Sequence, residues 1–259
     1  MSTRPRLLDL FCGAGGASMG YHRAGFDVTG VDIAPMPRYP FRFEQADALE
    51  YVAEHGAEYD AIHASPPCQG YSRMNRAVQA EHPKLIGKTR ALLLATGRPW
   101  AIENVEGADV DPMALTLCGT MFGLRVRRHR RFELWPARLD LASPCSCRLG
   151  VVTGRLIGHR THGKVAPGRT KPPRHTETEL RAAMGVDWMT TQETRQAIPP
   201  AYTEWVGRRL LDDLAAAAWV PCSTCDDYWC TVHGAHAHEC SCPPIEEWET
   251  DPYAPRVTA

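Results

Sequence analysis

No apolar run in the 259 residues approaches the ~18 needed to cross a bilayer. The opening "MSTRPR" passes into the first apolar run at Leu7 without the h-region of a secretory signal. These absences argue against a membrane protein and a secreted one, and a cytoplasmic location is expected. Internal repeats and low-complexity tracts are also missing, which excludes a solenoid, a collagen-like chain and a disordered linker. An excess of charge of either sign is missing too, because the formal net charge is only −1. With 44% hydrophobic residues the chain can bury one large core, or one core plus a small appendage. Ten cysteines in a chain without a secretory signal read as thiols, a catalytic group or metal ligands rather than disulfides.

The neutral total conceals two segments of opposite charge. Between Pro136 and His175 there are eight Lys or Arg and one acid, and between Pro221 and Ala259 seven acids and one Arg. Two solvated surfaces would account for this. A basic stretch rich in Gly and Pro also suits contact with phosphates. The shifts divide the chain into an α/β core over 1–135, a short basic segment over 136–178, a return to the core over 179–219 and a Cys/His-rich acidic tail over 220–259.

Strand and helix patterns alternate through the first third. "RLLDLF" (6–11), "FDVTGVDI" (26–33), "YDAIHA" (59–64) and "PWAIENV" (99–105) read as buried strands, with helices over 17–24 and about 84–96. Such alternation predicts a doubly wound parallel sheet with helices on both faces, whose ligands sit beyond the carboxyl ends of the strands. The stretches that follow those ends are "CGAGG", "DIAP", "SPPCQ" and "ENVEG", so they should converge on one crevice. The glycine turn at 13–16 with Asp32 suits NAD and S-adenosylmethionine equally, and a plain turn would look the same.

"HASPPCQGYS" is more telling. Cys68 follows a strand end and is held by Pro66 and Pro67, a stiff corner rather than a packing position. Glu103 at the end of another strand adds a carboxyl group. A thiolate and a carboxylic acid together can activate C5 of cytosine, which is not nucleophilic by itself. Thiolate addition at C6, with an acid acting at N3, moves electron density to C5.

"DLFCGAGG", "VDI", "SPPCQG", "ENV" and the arginine strand "VRRHRRFE" occur here in an order that resembles the DNA cytosine-5 methyltransferase family, and the resemblance resumes at "AMGVDWM" and "QAIPPAYTEWVG". It implies a Rossmann-like S-adenosylmethionine-dependent fold with a small irregular recognition insert. It also implies double-stranded DNA as partner, a monomer, and a cytoplasmic site of action in a bacterium, or in the host for a phage-encoded protein. Carried over by resemblance, Cys68 is the nucleophile, Glu103 the partner of N3 and Asn104 a support of the loop, while Arg128 and Arg130 bind the base and its phosphate. Phe11, Gly13 and Gly15 would cradle the cofactor, Asp32 and Ile33 would meet its ribose end, Asp47 its adenine, Pro66 would line the pocket and Gln196 would complete it. Val126 stands where the family has glutamine, and Arg195-Gln196 where it has Gly-Asn. The basic insert is short for a target-recognition domain, so recognition of only a few base pairs is expected.

The tail "CSTCDDYWCTVHGAHAHECSC" opens on C-x2-C and closes on C-x-C, a pattern suited to tetrahedral zinc, for which Cys222, Cys225, His238 and Cys240 are the chosen ligands. A disordered thiol-rich tail is the other reading. Two alternative functions stay open: a transfer-RNA cytosine-5 methyltransferase, which would share every motif, and a catalytically silent DNA-binding module, against which Cys68 and Glu103 argue. An NAD dehydrogenase fits worst, since hydride transfer has no use for "PPCQ" or paired arginines.

Overall fold

The structure is a computed structural model that describes residues 4–68, 84–136, 145–147, 176–217, 219–221, 228–230 and 235–236. Its contacts divide it into two units, Met1–Leu210 and Leu211–Ala259.

In the first unit, β1 (Arg6–Leu10), β2 (Asp27–Asp32), β3 (Arg42–Gln45), β4 (Ala61–Ala64) and β5 (Trp100–Asn104) pair in parallel, and β6 (Leu115–Leu117) and β7 (Arg130–Trp135) complete a sheet of order β3-β2-β1-β4-β5-β7-β6. β7 is antiparallel to both its neighbours. The four strands read from the sequence are parallel as expected, and the antiparallel pairing lies beyond them, where the chain leaves β5, forms β6 one position out and returns through β7 into the gap. The short edge strands β3 and β6 also escape the sequence pattern. β3 has no fully buried residue and β6 has three residues, so neither has the apolar run that marks the central strands.

The period of two along each strand sorts the core. Leu8, Leu10, Ile62, Ala64, Trp100 and Ile102 meet Ala48 and Val52 of α2 (Ala48–His55) and Ile86 and Leu93 of α3 (Ile86–Thr96) on one face. The intervening residues Asp9, His63 and Glu103 are all buried and fall on the other. That face is covered by α1 (Gly16–Ala24), whose Ser18 and Tyr21 reach Asp9 and His63. It is also covered by α6 (Pro200–Ala217), whose Tyr202 stacks edge-on against Phe132 of β7. α1 and α6 approach closely because both are thinned where they touch. A Cβ on Gly207 would lie 2.8 Å from the Ala24 Cβ and 2.9 Å from the Tyr21 ring.

Two short helices precede α6. α4 (Glu177–Met184) and α5 (Thr191–Gln196) are too short to persist alone, and each opens on a reciprocal cap, Thr176 with Glu179 and Thr190 with Glu193. A cap of this kind is worth ~1 kcal/mol. The rest of their order comes from tertiary packing, in which Met184, Val186 and Met189 close over Ala14 and Val126.

The second unit contains an antiparallel sheet of β8 (Trp219–Pro221), β9 (Tyr228–Cys230) and β10 (Ala235–His236), in the order β10-β9-β8. Among the described residues no helix is long and apolar enough to cross a membrane.

Candidate active site

The chain turns sharply after β1. Phe11, Gly13 and Gly15 all have positive φ, at 58°, 50° and 83°. Glycine is needed at 15 on two counts, since a Cβ there would be strained and would lie 2.9 Å from Pro40 Cδ. Asp32, at the end of β2, holds the turn from outside: its Oδ2 accepts from the Gly13 amide at 3.0 Å and its Oδ1 from the Ala34 amide at 3.0 Å. Trp188 holds it from the opposite direction, its indole N–H donating to the Ala14 carbonyl at 2.9 Å. Ile33 beside Asp32 is 71% exposed, an apolar side chain left open at the mouth of the crevice. Asp47 caps α2, with Oδ1 accepting from Leu49 and Glu50 amides. Gln196 is exposed at the end of α5, next to Ala197, whose Cβ, with the Ile198 backbone, fills the space a side chain on Gly16 would need.

The second half of the site lies at the ends of β4 and β5. Asn104 joins the two: its Nδ2 donates to the Pro66 carbonyl at 2.9 Å while its Oδ1 accepts from the Val105 amide at 2.9 Å. The Pro-Pro-Cys corner is thus tied to the neighbouring strand. Cys68 is a half-buried free thiol in the neighbourhood of Arg128. Glu103 is buried, with its Oε1 2.9 Å from Arg130 Nε. The contact is an ion pair without hydrogen-bond alignment, because that oxygen has no hydrogen-bond partner among the described residues. Burial raises the Glu103 pKa, and Arg130, Arg128 and a hydrogen bond from Ser65 pull it back.

Arg128 is held from behind. Its guanidinium donates to the Arg195 carbonyl at 2.8 Å, and its own carbonyl accepts from the Tyr202 hydroxyl at 2.6 Å. Its Nε is buried without a partner among the described residues. Burial, then Arg130, push its pKa down to about 9, which still leaves it cationic at neutral pH. The structure therefore gathers Pro66, Cys68, Glu103, Asn104, Arg128 and Arg130 at one end of β4, β5 and β7. It gathers Phe11, Gly13, Gly15, Asp32 and Ile33 at the ends of β1 and β2. The tail residues Cys222, Cys225, His238 and Cys240 lie outside the described residues, as does nearly all of the basic segment, including Arg155 and Arg160.

Sequence reading missed the buried polar row beneath the site. Asp9 accepts from the Ser18 hydroxyl, which accepts from Tyr39 at 2.8 Å. His63, paired in register with Asp9, bridges the Tyr21 hydroxyl and Ser65 Oγ, each at 2.9 Å. Ser65 in turn bonds Glu103, so the row ends on the site carboxyl. The available signal was the interruption of two apolar strands by Asp9 and His63 at inward positions.

This row has a pH signature. Burial, only partly offset by the Ser18 hydrogen bond, raises the Asp9 pKa from 3.8 to about 7, so its contribution to stability is complete below pH 3.8 and is lost as the pH rises through 7. Burial lowers the His63 pKa from 6.5 to about 3, so its contribution is present above pH 6.5 and is lost as the pH falls through 3. The two slopes oppose each other between pH 4 and 6.5. Asp9→Asn is expected to expose the His63 slope, making the variant progressively more stable than the parent from pH 4 to 8, by up to roughly 4 kcal/mol for a shift of this size. Urea unfolding at four pH values checks it, and a constant difference between the two proteins would refute it.

No protein-family model matches the sequence. The chain is 33% identical over 126 residues to the type II methyltransferase M.XorII of Xanthomonas oryzae pv. oryzae, which covers 42% of this chain and 30% of that protein. It is 28% identical over 176 residues to the type II methyltransferase M.HgiDI of Herpetosiphon aurantiacus, covering 62% of this chain and 54% of that one. The chain thus spans about half the length of these curated relatives or less. Among solved structures it is similar to the Dnmt2 methyltransferase of S. pombe, with a TM-score of 0.53 at 13% identity over 82% of this chain and 99% of the other. The fold is a Rossmann-like methyltransferase fold. Open α/β sheets of this kind bind ligands in the crevice beyond the carboxyl ends of their strands, the end of the sheet at which both groups of residues lie.

Proposed function

We propose that the protein transfers a methyl group from S-adenosylmethionine to C5 of cytosine in double-stranded DNA, through a covalent bond between Cys68 and C6. The observation that carries this reading is the joint built at the ends of β4 and β5: a free thiol on a proline corner, tied through Asn104 to the strand that ends in a buried carboxyl group between two arginines. The partial likeness to two type II methyltransferases supports DNA as the acceptor.

The residues present suit the donor. Gly13 faces open space where a side chain would stand, Asp32 keeps free lone pairs for ribose hydroxyls, and Ile33 offers an open apolar surface to a flat base. Phe11, Gly13, Asp47, Pro66 and Gln196 would form the remaining contacts. When bound, the cofactor supplies an electrophilic methyl group on a sulfonium. Asp32→Ala is expected to weaken its binding about tenfold or more, since it removes a hydroxyl acceptor and frees the Gly13 amide. Isothermal titration with S-adenosylhomocysteine is the check, and unchanged affinity would remove Asp32 from the donor site.

On the acceptor, the Cys68 thiolate forms a bond to C6 while Glu103, whose pKa burial raises, takes up a proton and hydrogen-bonds to N3. The electron pair displaced by the thiolate reaches C5, which takes the methyl group. A base then removes the C5 proton, and the returning electron pair expels the thiolate. Arg130 and Arg128 fix the carboxyl group and bind the base and its phosphate. A duplex acceptor must present the cytosine flipped out of its stack, at a cost of a few kcal/mol. Nucleoside mass spectrometry after incubating DNA and, separately, transfer RNA with protein and cofactor tests the whole reading. The expected product is 5-methylcytosine in DNA. Methylation of transfer RNA alone would turn the assignment to the RNA enzyme.

A further inference from the structure

Away from the Cys68 corner, four potential ligands meet at the outer edge of the sheet. Cys118, His129, Cys145 and Cys147 each turn one ligand atom inward, and all four atoms lie within 4.8 Å of one another. Cys145 Sγ is 3.1 Å from Cys147 Sγ and 3.6 Å from His129 Nε2, and Cys147 Sγ is 3.4 Å from the same nitrogen. We infer that these residues form a structural zinc site that anchors the basic segment to the arginine strand.

Four features distinguish this group from a chance meeting of thiols. The donor set is Cys3His, which selects a soft tetrahedral cation over calcium or magnesium. For metal–sulfur bonds of about 2.3 Å and metal–nitrogen bonds of about 2.0 Å, tetrahedral edges are about 3.5 Å between nitrogen and sulfur and about 3.8 Å between two sulfurs. The two nitrogen–sulfur separations above already match, to about 0.1 Å, and the Cys145–Cys147 pair has to open by about 0.7 Å. The second nitrogen of His129 is also engaged: Nδ1 lies 3.1 Å from Glu106 Oε1, so Nδ1–H can donate to a carboxylate while Nε2 points at the thiols. A carboxylate behind a ligating imidazole fixes its tautomer and strengthens it as a donor. Finally, Cys118 and Cys147 are buried, so with four protein ligands no position is left for water, as a structural rather than a catalytic site requires. On binding, the three thiols release their protons to solvent and the imidazole stays neutral.

The placement gives the ion a purpose. Cys118 ends the approach from β6, His129 immediately precedes β7, and Cys145 and Cys147 belong to the segment that follows β7. One ion would therefore pin three stretches that share no continuous strand or helix. His129 stands between Arg128 and Arg130, and alternation directs it away from them, toward Glu106, while Arg130 meets Glu103. Metal on one side of this stretch fixes the backbone from which both arginines project on the other.

The test is alkylation of the full-length native protein with N-ethylmaleimide, with and without prior treatment with a zinc chelator, read by peptide mass spectrometry. Cys145 and Cys147 are expected to resist labelling in the native protein and to become labelled together with Cys118 after chelation, while buried Cys12 stays unchanged. Equal labelling with and without chelator would overturn the site. Metal analysis provides an independent arm, since the tail has cysteines of its own. Cys145→Ser with Cys147→Ser is expected to lower the zinc content by about one equivalent from the parent value, whereas His129→Cys alone, which keeps four ligands, retains it. A zinc content unchanged by the paired serine substitution would refute the assignment even if the protein remains folded.

Discussion

Cys68→Ser is expected to abolish methyl transfer and, with it, the covalent trapping of the protein on DNA containing 5-fluorocytosine. Fluorine at C5 cannot leave as a proton does, so the parent protein should stall as an adduct that survives denaturing electrophoresis. A serine hydroxyl is a much weaker nucleophile at neutral pH than a thiolate. The corner itself should survive the change, because Asn104 grips the Pro66 carbonyl and not the thiol. Cofactor binding should therefore persist, separating lost chemistry from lost folding. A serine variant that methylates near the parental rate would remove the covalent step.

Glu103→Gln should lower turnover about 10²-fold or more, with little change in cofactor affinity. Glutamine has nearly the same shape and can donate a hydrogen bond, but it can neither transfer a proton nor balance two cations. Arg130 loses its anion 2.9 Å away, and Arg128, already pushed down by burial, loses a charge that stabilises it. Breaking a buried pair by removing one partner typically costs 3–5 kcal/mol, so some loss of stability should accompany the loss of rate. Single-turnover kinetics on folded protein at saturating cofactor isolates the chemical step. A parental rate there would remove Glu103 from the chemistry.

The two halves of the site differ in how visible they were before the fold was known. "SPPCQ" and "ENV" are legible because the residue types carry the chemistry and short-range stiffness places them: two prolines hold Cys68, and Glu103 sits where an apolar strand ends. The central strands are legible for a similar reason, since burial on both faces leaves nearly continuous apolar runs. β3 and β6 are not, because their existence depends on a neighbouring strand to pair with and not on their own composition. The reversal of β7 is likewise a property of the pairing. Asp9 and His63 looked like interruptions of two strands until the register set them side by side. The cluster of Cys118, His129, Cys145 and Cys147 was hidden for the opposite reason. Its members are spread over 30 residues of sequence and converge only once β7 lies between β5 and β6, whereas the cysteine-dense tail advertises ligands by proximity alone.

The bond from Trp188 to the Ala14 carbonyl joins residues 174 apart, and the one from Thr203 to the Ala17 carbonyl residues 186 apart. On a ribosome adding 5–20 residues per second, roughly ten to thirty-five seconds separate the emergence of the glycine turn from that of the tryptophan that latches it. During that interval β1, β2 and β4 can pair and α1 can close on them, but the side of α1 that faces α6 has no cover, and Tyr21 and Phe132 wait for α6. The nascent chain is then a half-built fold with an apolar flank uncovered and its glycine turn unlatched, prone to adhere to other chains. Slowing synthesis between residues 140 and 200 should therefore lower the yield of soluble protein more than an equal delay placed before β4.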